Sequence, residues 1–311
     1  IASSKDFANL PNAIIGYYFD VNILSVFKMQ NMEERNLVSK KGHDLAANIY
    51  PRLYYEITNT LGFSLMYNGG AFSMFYFPYN DVVFWNEEII RNNSLCNLRS
   101  LHLQKLGTVG YGKRGDILDA HVLKKGFIFT REGIGVPNLS ISDGYSALAY
   151  LNSIVAQYTI NLYCAQHKGN GYVNILPMPD YDKSLSDIES IVNSIIDIKR
   201  HWFSLDETNL EYHGLIAQMS ISDSIEDSIN RMQEGITADY QHYQELVKEN
   251  DNLWMDLANI DRESEFRQTL NEYKNRRPYE ELLSIDNASN QNIIDKKVIA
   301  QEIVQELVGM A

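Results

Sequence analysis

The sequence predicts a mixed α+β fold, with an α/β region over residues 1–180 followed by an acidic, mainly helical region over residues 181–311. Short apolar runs bounded by turn residues, which are typical of buried strands, are concentrated in the first region. Amphipathic patterns of helical period dominate the second region. The charge changes as well, because residues 1–180 hold 15 Lys and Arg against 14 Asp and Glu, whereas residues 181–311 hold 12 against 26.

The first part of the α/β region is expected to alternate strands with short helices. Asn68, Gly69 and Gly70 tolerate positive φ and predict a hairpin that joins Phe63–Tyr67 to residues 71–77. Pro51 disfavours one continuous helix through residues 38–57. The other expected elements are strands at residues 13–18, 81–85 and 100–106, and helices or helical turns at residues 20–29 and 86–92.

Residues 126–179 contain the clearest local pattern of the first region. The apolar run at residues 126–129 follows two lysines and predicts a buried strand. Asp143 is the expected N-cap of a helix whose apolar residues recur at three- and four-residue steps up to about Cys164. A glycine-containing loop follows, and residues 172–176 predict a further strand that ends at two prolines.

The second region is predicted to be helical throughout its ordered parts. Leu185–Phe203 places isoleucine, valine and tryptophan on one face at helical spacing. Further helices, rich in Glu, Asp and Gln, are expected at residues 222–247, 250–273 and 293–308. No repeat of fixed period is present in the sequence, which argues against a solenoid.

Composition excludes several classes of protein. A chain of 311 residues with 45% hydrophobic and 11% aromatic residues is globular and foldable rather than disordered. No apolar run approaches the roughly 20 residues of a membrane helix, and the first residues lack the pattern of a secretory signal. Cys96 and Cys164 fit reduced thiols better than a disulfide framework, so we expect a cytoplasmic protein. Because the chain begins with Ile1, we expect a fragment or a processed piece.

The net charge of −13 argues against simple nucleic-acid binding by the chain as a whole. The excess of carboxylates lies in residues 181–311, which should repel phosphate at low salt. The near-neutral residues 1–180 leave room for a local basic groove. If the chain binds DNA, we expect the binding residues in that first region.

Few motifs indicate chemistry. Gly107 to Lys113 has the spacing of a phosphate-binding loop, but Arg114 stands where a Ser or Thr hydroxyl should hold Mg²⁺. A flexible glycine loop is the preferred interpretation, with its lysine and arginine as candidates for contacting a nucleic-acid backbone. The seven histidines show no metal-binding spacing, and no catalytic constellation is recognisable.

Aromatic residues are dense between Tyr50 and Trp85. Most of them are expected in the core, because a large aromatic side chain usually serves packing. A minority are candidates for stacking on an extruded base or for lining a groove.

Several segments together resemble a known family. Gly-Phe-Ile-Phe at residues 126–129, Tyr-Leu-Asn-Ser at residues 150–153 and Ile-Leu-Pro-Met-Pro at residues 175–179 occur in that order. This series of segments resembles the target-recognition half of the adenine-specific DNA methyltransferases of BREX (PglX) and DISARM phage-defence systems. TaqI-like type IIG specificity domains are more distantly similar. Weaker matches in consistent order extend the resemblance over about residues 7–212; in the segment at residues 38–57 the best correspondences are Gly42, Asn48 and Arg52.

The resemblance implies that residues 1–180 form a DNA target-recognition domain of a restriction-modification or phage-defence enzyme. It implies double-stranded DNA as a partner, and a catalytic methyltransferase part or other defence-complex subunits as further partners. Contacts to the DNA backbone or base edges are expected from Lys40, Lys41, Arg52, Asn68, Lys113, Arg114 and Arg131.

The chain also departs from the family. It contains no Asn-Pro dipeptide, and therefore not the Asn-Pro-Pro-Tyr motif that holds the target adenine, and it lacks the glycine-rich S-adenosylmethionine loop. We therefore expect no catalysis by this chain alone and no cofactor in it, with S-adenosylmethionine bound in a catalytic part outside it. The alternative is a protein-interaction or regulatory module of a defence complex, whose acidic helices dock a partner without direct DNA contact.

Overall fold

The computed structural model confirms the mixed α+β class. Two small sheets lie in the first half of the chain, and long helices make up most of the second half. The structure describes residues 10–11, 19–46, 50–59, 61–69, 72–78, 80–205, 209–216, 224–277 and 296–309. The strand expected at residues 13–18 lies outside these described residues, and so does Asn48.

The strands form one four-stranded and one three-stranded sheet. The four-stranded sheet has the order β1-β3-β2-β6, antiparallel except for the parallel pair β2–β6. The three-stranded sheet is antiparallel, with β4 between β5 and β7. The strands are β1 (Pro51–Leu53), β2 (Phe63–Tyr67), β3 (Asp81–Phe84), β4 (Thr108–Gly112), β5 (Ala120–Leu123), β6 (Ile128–Phe129) and β7 (Gly133–Pro137).

The hairpin predicted after β2 is wrong, because β2 pairs with β3 and β6. The described part of the expected second strand instead joins the three-stranded sheet. Phe75 forms a parallel bridge with His121 on β5, and its amide donates to the Ala120 carbonyl at 2.7 Å. Phe75 is fully buried there, so burial of this aromatic side chain against another sheet outweighs the local turn signal.

The glycine-rich segment that starts at Gly107 is a strand and not a loop. Thr108–Gly112 is the central strand of the three-stranded sheet. Gly110 permits this position, because a Cβ atom there would lie 2.7 Å from side-chain atoms of Leu123 and Tyr67. The backbone amides therefore pair with neighbouring strands and are not arranged to cradle a phosphate.

Nine α-helices lie in the described ranges, and one of them, together with a 3₁₀ turn, stands where a strand was predicted. A 3₁₀ turn at Leu101–Leu103 occupies the strand predicted for residues 100–106, and a short helix occupies the one predicted for residues 172–176. The helices are α1 (Val21–Val26), α2 (Glu87–Arg91), α3 (Ile141–Leu151), α4 (Ile154–Asn161), α5 (Asn170–Asn174), α6 (Leu185–Phe203), α7 (Ile225–Leu257), α8 (Glu265–Tyr273) and α9 (Lys296–Gly309).

The single helix predicted from Asp143 to Cys164 is two helices, α3 and α4. Ser140 caps α3, because its hydroxyl accepts the Asp143 amide at 3.1 Å; Asp143 is therefore in the first turn and is not the N-cap. Ser153 caps α4 by accepting the amide of Ala156. The apolar period continues across the break, which explains why the sequence alone did not reveal it.

Helix α6 has the predicted bounds. Helix α7, of 33 residues, continues through the expected break after residue 247, and the helix expected at residues 250–273 is divided between the end of α7 and α8. The buried face of α7 continues through the expected gap, where Asn250 is buried and its amide group donates to the Ala149 carbonyl at 3.0 Å. Nδ2 of Asn250 thus finds its acceptor on a neighbouring helix.

One hydrophobic core cluster contains residues from both sides of position 180. Leu148 and Leu151 on α3, Ile195 on α6 and Trp254 on α7 are all fully buried in it. The boundary at residue 180 stays a prediction based on composition and charge. Among the described helices, none combines the length and apolar character that crossing a membrane requires.

Candidate nucleic-acid interface

The turn between β6 and β7 is the centre of a positively charged surface. Thr130 closes this turn, because its Oγ1 donates to Asn68 Oδ1 at 2.7 Å and accepts the Gly133 amide at 3.2 Å. A Cβ atom on Gly133 would lie 2.5 Å from the nitrogen of Gly69, so the close approach of these two backbones requires glycine. The turn therefore holds residues 131–132 in a fixed position.

A short extended segment runs beside this turn. Lys40 forms an antiparallel bridge with Gly135 on β7. Three residues later the His43 carbonyl accepts the Arg131 amide at 2.9 Å. These backbone hydrogen bonds place the exposed Lys41 next to the turn.

A second segment brings an arginine that the sequence analysis did not select. Asp44 and Asn97 exchange two backbone hydrogen bonds, at 2.8 and 3.0 Å. Beyond them, the Arg99 amide donates to Nδ1 of His43 at 2.9 Å. Only this long-range pairing reveals Arg99, since the surrounding sequence carries no periodic or motif signal.

Glu132 organises the cations at the end of β4. Its Oε2 lies 2.7 Å from Nε of Arg114, and its Oε1 lies 3.4 Å from Nζ of Lys113. Partial burial opposes ionisation, but the hydrogen bonds and charges of these two cations outweigh it and hold the pKa of Glu132 below its usual value. Glu132 is therefore a carboxylate near neutral pH.

Arg131 connects this group to a second carboxylate. Its Nε lies 3.8 Å from Glu132 Oε1, and its Nη1 lies 3.4 Å from Asp44 Oδ1. Asp44 Oδ2 in turn lies 3.7 Å from Nη2 of Arg99. Two carboxylates thus hold four cationic side chains near one another.

We call this region the basic surface. Arg114 and Arg131 are largely exposed, with 70% and 53% of their side chains accessible, so they can reach a ligand in solvent. Guanidinium groups bind phosphate oxygens through paired donors, and lysine adds a point charge. The cationic residues of the basic surface are Lys40, Lys41, Arg99, Lys113, Arg114 and Arg131.

An aromatic side chain borders the basic surface. The ring of Trp85 lies 5.0 Å from that of the buried His43, at an interplanar angle of 31°. Nζ of Lys105 lies 5.6 Å from the centroid of the same Trp85 ring. Burial lowers the pKa of His43 to about 4, so this histidine is neutral at pH 7 and does not add to the positive charge.

The structure places all but one of the predicted DNA-binding residues at this surface. Asn68 lies at its border through the hydrogen bond from Thr130. Arg52 lies apart, because β1 is the outer strand at the opposite edge of the four-stranded sheet from β6. Its Nη1 donates to the Pro51 carbonyl at 2.7 Å. The predicted residues that lie together are Lys40, Lys41, Asn68, Lys113, Arg114 and Arg131.

The described residues contain no group of three or more His, Cys, Asp and Glu side chains placed to hold a metal ion. In comparisons with known proteins, no family model and no curated protein matches the chain. The resemblance to adenine-specific DNA methyltransferases therefore stays a prediction.

Proposed function

We propose that this chain is the sequence-recognition portion of an S-adenosylmethionine-dependent adenine-N6 DNA methyltransferase of a phage-defence or restriction-modification system. It recognises duplex DNA and is not catalytic on its own; the methyl donor binds in a catalytic part outside this chain. The observation that carries the proposal is the basic surface, where cations distant in sequence meet around Glu132 and Asp44.

The charge distribution supports the same assignment. The chain carries a net charge of −13, and its excess of carboxylates lies in residues 181–311, so that region repels phosphate. A local cluster of cations is then the site where a polyanion can bind, and this arrangement orients the DNA on the protein. Glu132 and Asp44 hold the cationic side chains in place, and DNA phosphates would compete with these two carboxylates for the same hydrogen-bond donors.

The test is fluorescence anisotropy of labelled duplexes across a salt series, with the Lys113→Ala/Arg114→Ala double variant. If each cation contacts one phosphate, the slope of log K against log salt falls by about two, and binding weakens for all sequences. Lys28→Ala/Lys183→Ala is the matched control, because it removes the same charge at exposed positions outside the basic surface. Equal binding by both double variants would refute the assignment.

Replacing Glu132 by a neutral residue tests directly whether this carboxylate competes with DNA phosphates for the cations. Glu132→Gln should strengthen duplex binding, because it releases Lys113 and Arg114 and removes a negative charge. Glu263→Gln is the control, since it makes the same change at an exposed site away from this surface. Weaker or unchanged binding for Glu132→Gln would contradict a role of the basic surface in phosphate contact.

A protein-interaction module is the second candidate function, and the C-terminal helix favours it. Val304, Leu307 and Val308 on α9 expose 57%, 50% and 70% of their surface. Apolar side chains grouped on an exposed helix are typical of docking faces. Absence of duplex binding at low salt, even after addition of a catalytic methyltransferase part, would favour this function over DNA recognition.

A further inference from the structure

Three lysines that are not part of the basic surface lie together at the turn between β5 and β6. The Gly126 amide donates to the Lys105 carbonyl at 2.9 Å, and the Lys105 amide donates to the Phe127 carbonyl at 2.9 Å. These two hydrogen bonds place Lys105 beside Lys124 and Lys125, and all three lysines are exposed. We call these three residues the lysine turn.

The backbone of the lysine turn is held in a fixed position. Gly126 has a φ of +102°, in the region that favours glycine. A Cβ atom on Gly107 would lie 2.9 Å from the backbone nitrogen of Lys125, so the segment that enters β4 packs closely against the turn. The three exposed lysines are therefore carried on an ordered part of the fold.

The positive charge of the lysine turn is only partly neutralised within the protein. Lys124 forms an ion pair with Glu211. Lys105 and Lys125 form no ion pair with a described residue, and Nζ of Lys105 instead lies 5.6 Å from the centroid of the Trp85 ring. Because neighbouring like charges repel, lysines without carboxylate partners bind an anion favourably.

The segment that joins Arg99 to Lys105 runs beside β6 in the opposite direction. Oε1 of Gln104 accepts the Phe129 amide at 2.9 Å, next to the hydrogen bonds of the lysine turn. At the far end of β6, Arg99 and Arg131 are both linked to the backbone or ring of the same histidine. The paired segments therefore carry the lysine turn at one end and the basic surface at the other.

The distance between these two ends is comparable with the width of a DNA groove. From Phe127 to Arg131 the chain spans at most about 13 Å at about 3.3 Å per residue, and the major groove of B-DNA is about 12 Å wide. The Trp85 ring contacts both the His43 ring and Nζ of Lys105, so the two ends share one surface. Their cations are thus spaced to contact phosphates on either side of a groove.

We propose that the lysine turn contacts the second phosphate backbone of a DNA duplex whose first backbone lies on the basic surface. This inference rests on the proposed function, because it assigns a second contact to the same duplex. Phosphate contacts position a duplex on a protein. Contacts to both backbones fix the rotation of the duplex about its axis, which contacts to a single backbone leave free.

The first experiment removes two charges from the lysine turn with Lys105→Gln/Lys125→Gln. In fluorescence anisotropy of a labelled duplex across a salt series, the slope of log K against log salt should fall by about two if each lysine contacts one phosphate. Lys28→Gln/Lys183→Gln is the matched control, because it removes the same charge at exposed positions outside both groups of cations. Equal slopes for the two double variants would overturn the proposal.

The second experiment tests whether the two groups contact different strands. It uses a duplex in which neutral methylphosphonates replace the phosphates of one strand. The basic surface holds more cations and takes the charged strand, so the lysine turn faces the neutral one. Wild type and Lys105→Gln/Lys125→Gln should then bind this duplex with the same slope. A persistent difference of about two would show that both groups follow one strand, and would overturn the proposal.

The outcomes separate this inference from the proposed function. If Lys113→Ala/Arg114→Ala lowers the slope but Lys105→Gln/Lys125→Gln does not, the basic surface binds DNA and only the assignment of the lysine turn fails. If the wild-type chain binds no duplex even at low salt, the proposed function fails and this inference fails with it.

Discussion

His43 has two roles at the residue scale: it fixes Arg99 through Nδ1 and stacks on Trp85 while remaining neutral. Its Nδ1 accepts a backbone amide, so the proton of the neutral ring is on Nε2, which has no partner among the described residues. Burial lowers its pKa from 6.5 to about 4 in the folded chain. Protonation therefore favours the unfolded chain at acid pH.

This pKa shift predicts a pH-dependent loss of stability. Between pH 6.5 and pH 4 the unfolded chain binds the proton more readily, so stability falls as the pH drops through that window. From pH 7 to pH 5 we expect His43 to contribute a loss of about 2 kcal/mol in the free energy of unfolding. Urea unfolding of His43→Asn, whose oxygen can still accept the Arg99 amide, should show that much less loss; the same loss as wild type would contradict the assignment.

At the scale of elements, the break between α3 and α4 allows a side chain to pair with a neighbouring strand. Asn152 stands at this break, and its carboxamide pairs with the edge of β5. Oδ1 accepts the Ala120 amide at 2.9 Å, and Nδ2 donates to the Ala120 carbonyl at 2.9 Å. The side chain thus acts as one residue of an additional strand, which satisfies buried backbone groups.

Replacement of Asn152 should destabilise the contact between β5 and the break that separates α3 from α4. Asn152→Leu leaves the buried amide of Ala120 without its acceptor, at a cost of about 1–3 kcal/mol, whereas the Ala120 carbonyl keeps the hydrogen bond from the Phe75 amide. Chemical denaturation should show this loss, and hydrogen exchange should show faster exchange of the Ala120 amide. Asn92→Leu, at an exposed position after α2, should change stability by less than about 0.5 kcal/mol.

At the scale of the whole molecule, a buried ion pair ties distant segments together. Nη2 of Arg277 lies 2.8 Å from Oδ1 of Asp251, and both side chains are almost fully buried. The same Asp251 oxygen accepts the Ile154 amide at the start of α4. Arg277 also donates to the Asn152 carbonyl and to Gln157. The pair therefore joins α7, the segment after α8 and the break between α3 and α4.

Breaking this pair should destabilise the entire fold. Asp251→Asn leaves the arginine charge buried without its counter-ion, and we expect a loss of about 3–5 kcal/mol in urea unfolding. The double variant Asp251→Asn/Arg277→Met should recover part of that loss, because it removes the unpaired charge. Asp197→Asn breaks an exposed ion pair and should cost less than about 1 kcal/mol. Equal losses for the buried and exposed single variants would show that the pair does not join the segments.

The sequence by itself determined the elements that local hydrophobic patterns mark. The apolar period of Leu185–Phe203 gave the bounds of α6, and the strands around Phe63–Tyr67 and Ile128–Phe129 followed from short apolar runs. The mixed α+β class follows from the same local signals, because hydrophobic periodicity depends only on neighbours in sequence.

The tertiary structure decided which segments meet. Thr108–Gly112 is a strand because two neighbouring strands pair with it, although its glycines resemble a loop. Arg99 joins the basic surface through His43, and Arg52 lies at the opposite sheet edge, although both are isolated arginines in sequence. Strand pairing, burial and charge proximity depend on contacts between residues far apart in the chain, and local patterns carry no information about those contacts.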